Sequence, residues 1–456
     1  MSAVLDTPAA VRAETTSGGV RELIALALPI ILTNLSSTLM MTTDAMMVGR
    51  LGATELGAVG YAGIWYWTVI AAFNGTGNGV QTFAAQAHGA GHARRCGPWL
   101  WQAWFTVVPA AIIALVLFAV GFPALLDLLG PAAALRPLAT SYVQARVFGV
   151  GGLMTGLLVA AFLRGVGDTR TPLYAMIAAN LVNVALNYCL IFGHLGFPRL
   201  GVAGSGLATA IAEWVYALWL LRAVHHAAVR REFHTELVAP DRAAMRRFLR
   251  TSAPIGGQWS LDMLAFASFS TLVARMGASE MAASQALLSL MHLSFMQVVG
   301  VQMAVATMVG RYVGAGDVEA ARRSLRSALR VGVGLSLLVA ALFVAAPELC
   351  LRLFVSDETV LRLGAPLLAV GAAFQVCDAF GVLNGGALRG AGDTRWPFVV
   401  QTLLAWGLFL PAAYAGGALL GGGLTGAWMG GVVYVAALGL ALHWRFQSGA
   451  WQEARI

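Results

Sequence analysis

Twelve long apolar stretches run along the chain, each separated from the next by a short polar or glycine-rich segment. They fall at roughly 22–48, 55–87, 98–121, 137–164, 172–194, 201–224, 250–276, 280–312, 325–346, 360–389, 397–416 and 423–445. A membrane-spanning helix needs about 20 mostly apolar residues. Barrel strands are shorter and alternate in polarity. The pattern therefore predicts an all-α integral membrane fold with twelve transmembrane helices, here called spans 1 to 12. Pro98, Pro172 and Pro397 fall in the first turns of spans 3, 5 and 11, where a missing N–H costs nothing. Gly89 and Gly314 stand at the ends of spans 2 and 8, as cap residues. Pro29 and Pro254 lie inside spans 1 and 7 and are expected to bend them alike.

The polar punctuation repeats. Residues 163–172 read Leu-Arg-Gly-Val-Gly-Asp-Thr-Arg-Thr-Pro, and residues 388–397 read Leu-Arg-Gly-Ala-Gly-Asp-Thr-Arg-Trp-Pro. Eight of ten positions agree at an offset of 225. The same offset pairs Pro29-Ile30 with Pro254-Ile255, Gly75 with Gly300, and Gly89-Ala90-Gly91 with Gly314-Ala315-Gly316; near Gly201 and Gly423 it slips by three. The chain thus reads as two copies of one unit. A tail (1–21) precedes an N-lobe of spans 1–6 (22–224). A polar linker (225–249) leads to a C-lobe of spans 7–12 (250–446) and a tail (447–456). Six spans per copy is an even number, so both copies enter the membrane from the same side. Two parallel six-helix lobes with a cavity between them suit alternating access by rocking.

Composition removes other classes. The chain is 59% hydrophobic and 11% charged, with mean hydropathy +0.75, which excludes a soluble protein. The net charge is +8 and every basic residue is arginine. Those arginines, from Arg12 to Arg455, concentrate in the loops on one side. The bias orients the chain with both termini cytoplasmic and argues against a nucleic-acid partner. Cys96, Cys189, Cys350 and Cys377 show no CxxC spacing, so neither a disulfide framework nor a metal cage is indicated. The segment before Gly19 lacks the apolar core of a signal peptide, so the first span is expected to insert the chain.

Few ionisable residues lie inside the spans: Asp44, Arg146, Glu213, Asp262 and Asp378. A charge at mid-bilayer costs about 2.5–3.5 kcal/mol on insertion scales. Asp44, Asp262 and Asp378 are therefore the candidate ion- or proton-coupling residues. Glu213 and Arg146 are of opposite sign and able to neutralise one another. In span 5, Asn180, Asn183 and Asn187 share one helical face, where amides orient a carboxylate, ligate a cation or tie helices together. Met40, Met41, Met46 and Met47 surround Asp44. Of these, Met40 and Met47, with Trp65, Trp67 and Trp259, are the candidate substrate-cavity residues, through deformable thioethers and cation–π faces. Trp65, Tyr66 and Trp67 are consecutive, so at most one is expected to face a cavity.

The duplicated turn, carrying Arg164, Gly165, Gly167 and Asp168 and again Arg389, Gly390, Gly392 and Asp393, is read as structural, with each Asp free to cap the helix that follows. No strand precedes it and no Gly-Lys-Ser/Thr closes it, so it is no phosphate loop. With no nucleotide motif and no cofactor indicated, a pump built on this chain must draw its energy from an ion gradient. The histidines form no HExxH or Cys/His cluster, which disfavours an integral-membrane enzyme.

The sequence Thr43-Asp44-Ala45-Met46-Met47-Val48-Gly49-Arg50, the His88-Gly89-Ala90-Gly91 stop and both Arg-Gly-x-Gly-Asp turns resemble the multidrug and toxic compound extrusion (MATE) family, from about Arg21 to Arg445. The resemblance implies cation-coupled antiport, with Na⁺ or H⁺ entering as an organic cation leaves. It is greatest to the NorM-like branch, whose acids in spans 1, 7 and 10 match Asp44, Asp262 (eight residues after Pro254) and Asp378 (in Gln375-Val376-Cys377-Asp378). Asn187 stands where the DinF-like branch has an Asp. Asp262 is shorter than the branch's usual Glu, and Phe374 replaces the Tyr of some sodium-coupled members. Asn183, Asn187 and Gln375 are the expected supporting polar residues. The implied protein is a multidrug antiporter of a bacterial-type inner membrane. Its expected partners are small organic cations and the lipid bilayer, without an obligate protein partner. A lipid-linked oligosaccharide flippase of the same superfamily is the alternative. It is disfavoured because the intramembrane charges are mostly acidic.

Overall fold

A computed structural model of the chain describes residues 18–130, 132–352 and 358–453; Arg12 and Arg455 lie outside them. The described residues are overwhelmingly helical, with no strand among them. In the first copy the helices are α1 (Val20–Gly49), α2 (Ala53–Gly77), α3 (Gly79–Gly89), α4 (Cys96–Leu129), α5 (Leu135–Val147), α6 (Val150–Val166), α7 (Arg170–Phe192) and α8 (Val202–Val224). Between the copies lies the short α9 (Ala227–Phe233). The second copy comprises α10 (Arg242–Ala274), α11 (Ala278–Gly314), α12 (Val318–Ala345), α13 (Pro347–Arg352), α14 (Glu358–Ala391), α15 (Arg395–Leu404), α16 (Leu410–Tyr414) and α17 (Gly423–Gln447).

Among the described residues, nine helical stretches are long and apolar enough to cross a membrane, or up to eleven if each of two bent pairs is one span. The helix α10 falls short because its middle, Thr251-Ser252-Ala253-Pro254-Ile255-Gly256-Gly257-Gln258, is comparatively polar. With it, the twelve-span repeat is complete. Pro98, Pro172 and Pro397 each occupy the third position of α4, α7 and α15, within the first turn. Pro29 and Pro254 sit inside the unbroken α1 and α10.

Three predicted spans differ in detail. Span 2 is interrupted at Asn78, between α2 and α3. Span 4 is broken at Phe148–Gly149, and α5 and α6 meet at 51°. Span 11 carries π-helical segments at Ala405–Phe409 and Ala415–Leu419, either side of α16. Pro411 has no N–H to complete the helical ladder, and local widening accommodates its ring. Gly89 and Gly314 are the last helical residues of α3 and α11. The left-handed turn comes two residues later, at Gly91 (φ 75°) and Gly316 (φ 77°).

The chain packs as two units. One comprises Leu32–Phe266 with Thr394–Thr402; the other gathers the chain up to Ile31, Ala267–Asp393 and the chain from Leu403. Both α1 and α10 are thus divided between units. Within the first unit, a Cβ on Gly75 would come within 2.7 Å of the Gly256 Cα. Within the second, a Cβ on Gly300 would come within 2.4 Å of Ile31. Both partners are offset by 225, so one helix crossing is built twice. The segment 225–249 holds α9 and the first turns of α10. It is tied to α4 where the Trp101 indole donates to the Thr235 carbonyl (3.1 Å) and the Gln102 amide to the Ala239 carbonyl (2.9 Å).

Candidate functional site

In the first unit, α1, α7 and α8 bring a polar cluster into an apolar surround. Asp44 is buried on α1. The Asn187 side-chain amide donates to one of its carboxylate oxygens at 2.5 Å, and the Thr209 hydroxyl lies 2.8 Å from the other. The same Asn187 nitrogen donates to the Asn183 side-chain oxygen Oδ1 at 3.0 Å, and the Asn183 amide donates to Thr209 at 3.4 Å. Asn183 and Asn187 are fully buried. One turn earlier on α7, Asn180 donates to both the carbonyl and the hydroxyl of Ser36. The face predicted for the three asparagines therefore joins α7 to α1 and α8. A carboxylate set among side-chain amides and a hydroxyl, out of water, is chemically suited to hold a proton or a small cation.

A second charged group stands beside it. The Arg146 guanidinium donates to Glu213 at 2.8 Å, and both side chains are largely buried. The expected neutralisation of these two residues is what the geometry displays. Arg146 lies 4.7 Å from the centroid of the Tyr66 ring. Of the three consecutive aromatics, Tyr66 is thus the inward one, at 1% exposed; Trp67 is 37% exposed and packs edge-on against it. The pair lies at the break in span 4. Gly149 has no side chain there, and a Cβ would come within 2.3 Å of a Glu213 oxygen. The Phe148 carbonyl freed by the break accepts from the Trp214 indole at 2.7 Å.

The other predicted site residues fall as follows. Asp262, half-buried on α10, accepts from the Gln401 side-chain amide, and the Gln401 oxygen in turn accepts from Gln258. These three belong to the first unit, as Asp44 does. Asp378, half-buried on α14, belongs to the second unit. One turn before it, the buried Gln375 accepts from Ser294 at 2.5 Å and donates to the Ser336 carbonyl at 3.3 Å. Phe374 packs edge-on to Trp428, with centroids 5.7 Å apart. Met40 packs on the first unit's largest apolar cluster, Met47 on the cluster around Val48, and Trp65 on the cluster around Phe122; Trp259 is half-buried.

The duplicated turns share a backbone and diverge in their side chains. Gly167 (φ 96°) and Gly392 (φ 92°) both take the left-handed conformation that ends a helix. Asp168 caps α7, accepting from the Arg170 and Thr171 backbone N–H groups at 3.1 and 3.0 Å. The expected matching cap at Asp393 is not formed: its carboxylate accepts from Arg445 at 2.8 Å instead. Thr171, whose hydroxyl also bonds Asp168, is replaced by Trp396 in the second copy. Arg164 reaches Asn78 and Gln81 across the break between α2 and α3, at 3.1 and 3.3 Å; Arg389 donates to the Gly385 carbonyl of its own helix.

Sequence reasoning missed Thr209 and the helix break, and among the three consecutive aromatics it singled out Trp65 and Trp67 where the structure buries Tyr66. Ser205, Thr209 and Glu213 recur every four residues in an apolar span, and that stripe is the signal for Thr209.

The family model described as MatE matches twice, over residues 29–189 and 254–415. The two matches begin 225 residues apart, in the register of the internal repeat. The Multidrug resistance protein NorM of Burkholderia vietnamiensis is 30% identical over 426 residues, covering 92% of each chain. The Probable multidrug resistance protein NorM of Burkholderia mallei is also 30% identical, covering 92% of this chain and 91% of that one. Among solved structures, the outward-facing form of a multidrug resistance MATE family transporter superposes with a TM-score of 0.86 at 21% identity, covering 96% and 99%. A Vibrio cholerae MATE transporter gives 0.86 at 19% identity, covering 94% and 96%.

Proposed function

The chain belongs to the MatE family, and on that premise we propose that it is a cation-coupled multidrug antiporter. It exports amphipathic organic cations from a bacterial-type inner membrane in exchange for Na⁺ or H⁺, with both termini cytoplasmic. It carries out no covalent chemistry. The observation that carries this reading is the Asp44 cluster, a buried carboxylate held by Asn187 and Thr209. Burying it in an apolar bundle is unfavourable unless a cation compensates its charge at some stage of the cycle. Binding that cation removes the charge, so loading changes the energetics of the surrounding helices. Alternating access follows if cation and drug occupy the protein in opposite phases. Asp262 and Asp378 are further acids that a cationic drug or a second ion would use. Names of relatives that specify multidrug resistance support the substrate breadth.

The test is ethidium efflux from liposomes holding the purified protein, with a Na⁺ gradient and a H⁺ gradient imposed separately. Efflux under one gradient supports the reading and names the ion. No efflux of ethidium or other organic cations under either gradient would contradict it.

A further inference from the structure

The cation site of the proposed antiporter has a charged neighbour that the repeat does not need. Ser205, Thr209 and Glu213 form one stripe along α8, and Thr209 and Glu213 are a single turn apart, about 6 Å along the axis. Thr209 contacts Asp44 and Glu213 contacts Arg146. The groups around Asp44 are Tyr142 and Arg146 from α5, Glu213 and Thr209 from α8, and the neutral Asn183 and Asn187 from α7. Tyr66 of α2 closes over Arg146.

Stability is a poor reason to keep this pair. Replacing a buried ion pair by apolar groups is often neutral or stabilising, and the second copy makes that replacement. By the repeat offset, Asp44, Tyr66 and Arg146 correspond to Phe269, Met291 and Gly371. By the slipped offset of 222 used for α8 and α17, Thr209 and Glu213 correspond to Gly431 and Val435. The corresponding helix α14 runs without a break. The pair is also incompletely satisfied: Arg146 Nη1, Glu213 Oε2 and Tyr66 Oη are buried without a hydrogen-bond partner among the described residues. Buried polar atoms are rarely left so.

We propose that Arg146 and Glu213 are positioning residues that set the affinity of the Asp44 site for the driving cation. The two charges offset one another beside Asp44, and the Glu213 end holds the α8 face that carries the Thr209 hydroxyl. The proposal rests on Asp44 being the coupling residue. Its sign follows from Coulomb's law in a medium of low dielectric. An uncompensated Arg146 repels a cation arriving at Asp44, and an uncompensated Glu213 attracts it.

The experiment is gradient-driven ethidium efflux in liposomes. It measures the half-saturating concentration of the driving cation for wild type, Glu213→Gln, Arg146→Gln, the double variant and Asp44→Asn. Glu213→Gln is expected to raise that concentration roughly tenfold and Arg146→Gln to lower it by a similar factor, as for a nearby unpaired charge. The double variant, with no bare charge, is expected near the wild-type value. Should both single variants fail to insert, Glu213→Asp keeps the charge but withdraws it from Arg146. It is expected to raise the concentration about threefold. A purely structural role would lower the maximal rate and leave the half-saturating concentration in place. That result, or shifts of the same sign in both single variants, or no shift in Glu213→Asp, overturns the proposal. Efflux that persists in Asp44→Asn instead overturns the assignment of Asp44, and this inference with it.

Discussion

Gly165 and Gly390 make the same close crossing 225 residues apart. A Cβ on Gly165 would lie 2.7 Å from the Gln81 carbonyl oxygen, and one on Gly390 would lie 2.3 Å from the carbonyl oxygen of Ala306, the residue equivalent to Gln81. A backbone carbonyl cannot move aside as a side chain can. Gly165→Ala and Gly390→Ala are therefore each expected to cost about 1–3 kcal/mol, read as a fall in the thermal unfolding midpoint in detergent. Gly121→Ala, inside α4 with nothing near its Cβ position, is expected to add about 0.5–1 kcal/mol of stability, read as a rise in the same midpoint.

The break in span 4 leaves a carbonyl to satisfy, and Trp214 does so at Phe148. Trp214→Phe keeps an aromatic ring over Gly151 and Gly152 and removes only the donor. The expected loss is about 1 kcal/mol of stability, seen as a lower unfolding midpoint with the drug-efflux rate per folded molecule little changed.

The two copies of the turn predict two different penalties. Asp168→Ala removes a helix cap and is expected to cost about 1 kcal/mol, unaffected by the residue at position 445. Asp393→Ala removes the carboxylate to which Arg445, its side chain 24% exposed, donates. Its cost is expected to shrink when Arg445→Met is added, because the ion pair between the two can be lost only once. A double-mutant cycle on thermal unfolding measures both.

Much of the fold was legible because hydropathy and the repeat speak about the same boundaries. The spans, the first-turn prolines and the equivalence of Gly75 with Gly300 all follow from lengths and offsets. The break at Phe148–Gly149 was not. No proline marks it, and Gly149, Gly151 and Gly152 read equally well as small residues for close helix contact. The site was half legible. Asp44, Asn183 and Asn187 stand out as polar residues in apolar spans. Thr209 does not, since a hydroxyl in a helix usually bonds its own backbone, as Thr209 also does to the Ser205 carbonyl at 2.9 Å. Nor did the duplicated Asp168 and Asp393 announce different partners, because Arg445 lies 52 residues beyond Asp393.

Thr209→Val separates the two candidate ions. The hydroxyl stabilises the empty carboxylate, so its loss favours proton uptake; as an oxygen ligand, its loss weakens Na⁺ binding. A shift of about tenfold is expected for one hydrogen bond to a charge. The half-saturating concentration falls if protons drive transport and rises if Na⁺ does. Efflux measured against each ion in turn checks the direction.

The most direct test of the central claim is Asp44→Asn in liposomes under the gradient that drives the wild-type protein. The amide keeps the shape and hydrogen-bonding reach of the side chain but carries no charge to exchange. The account predicts a protein that inserts and unfolds at or above the wild-type temperature, with gradient-driven ethidium efflux abolished. Efflux at the wild-type rate from a correctly inserted Asp44→Asn protein would contradict it.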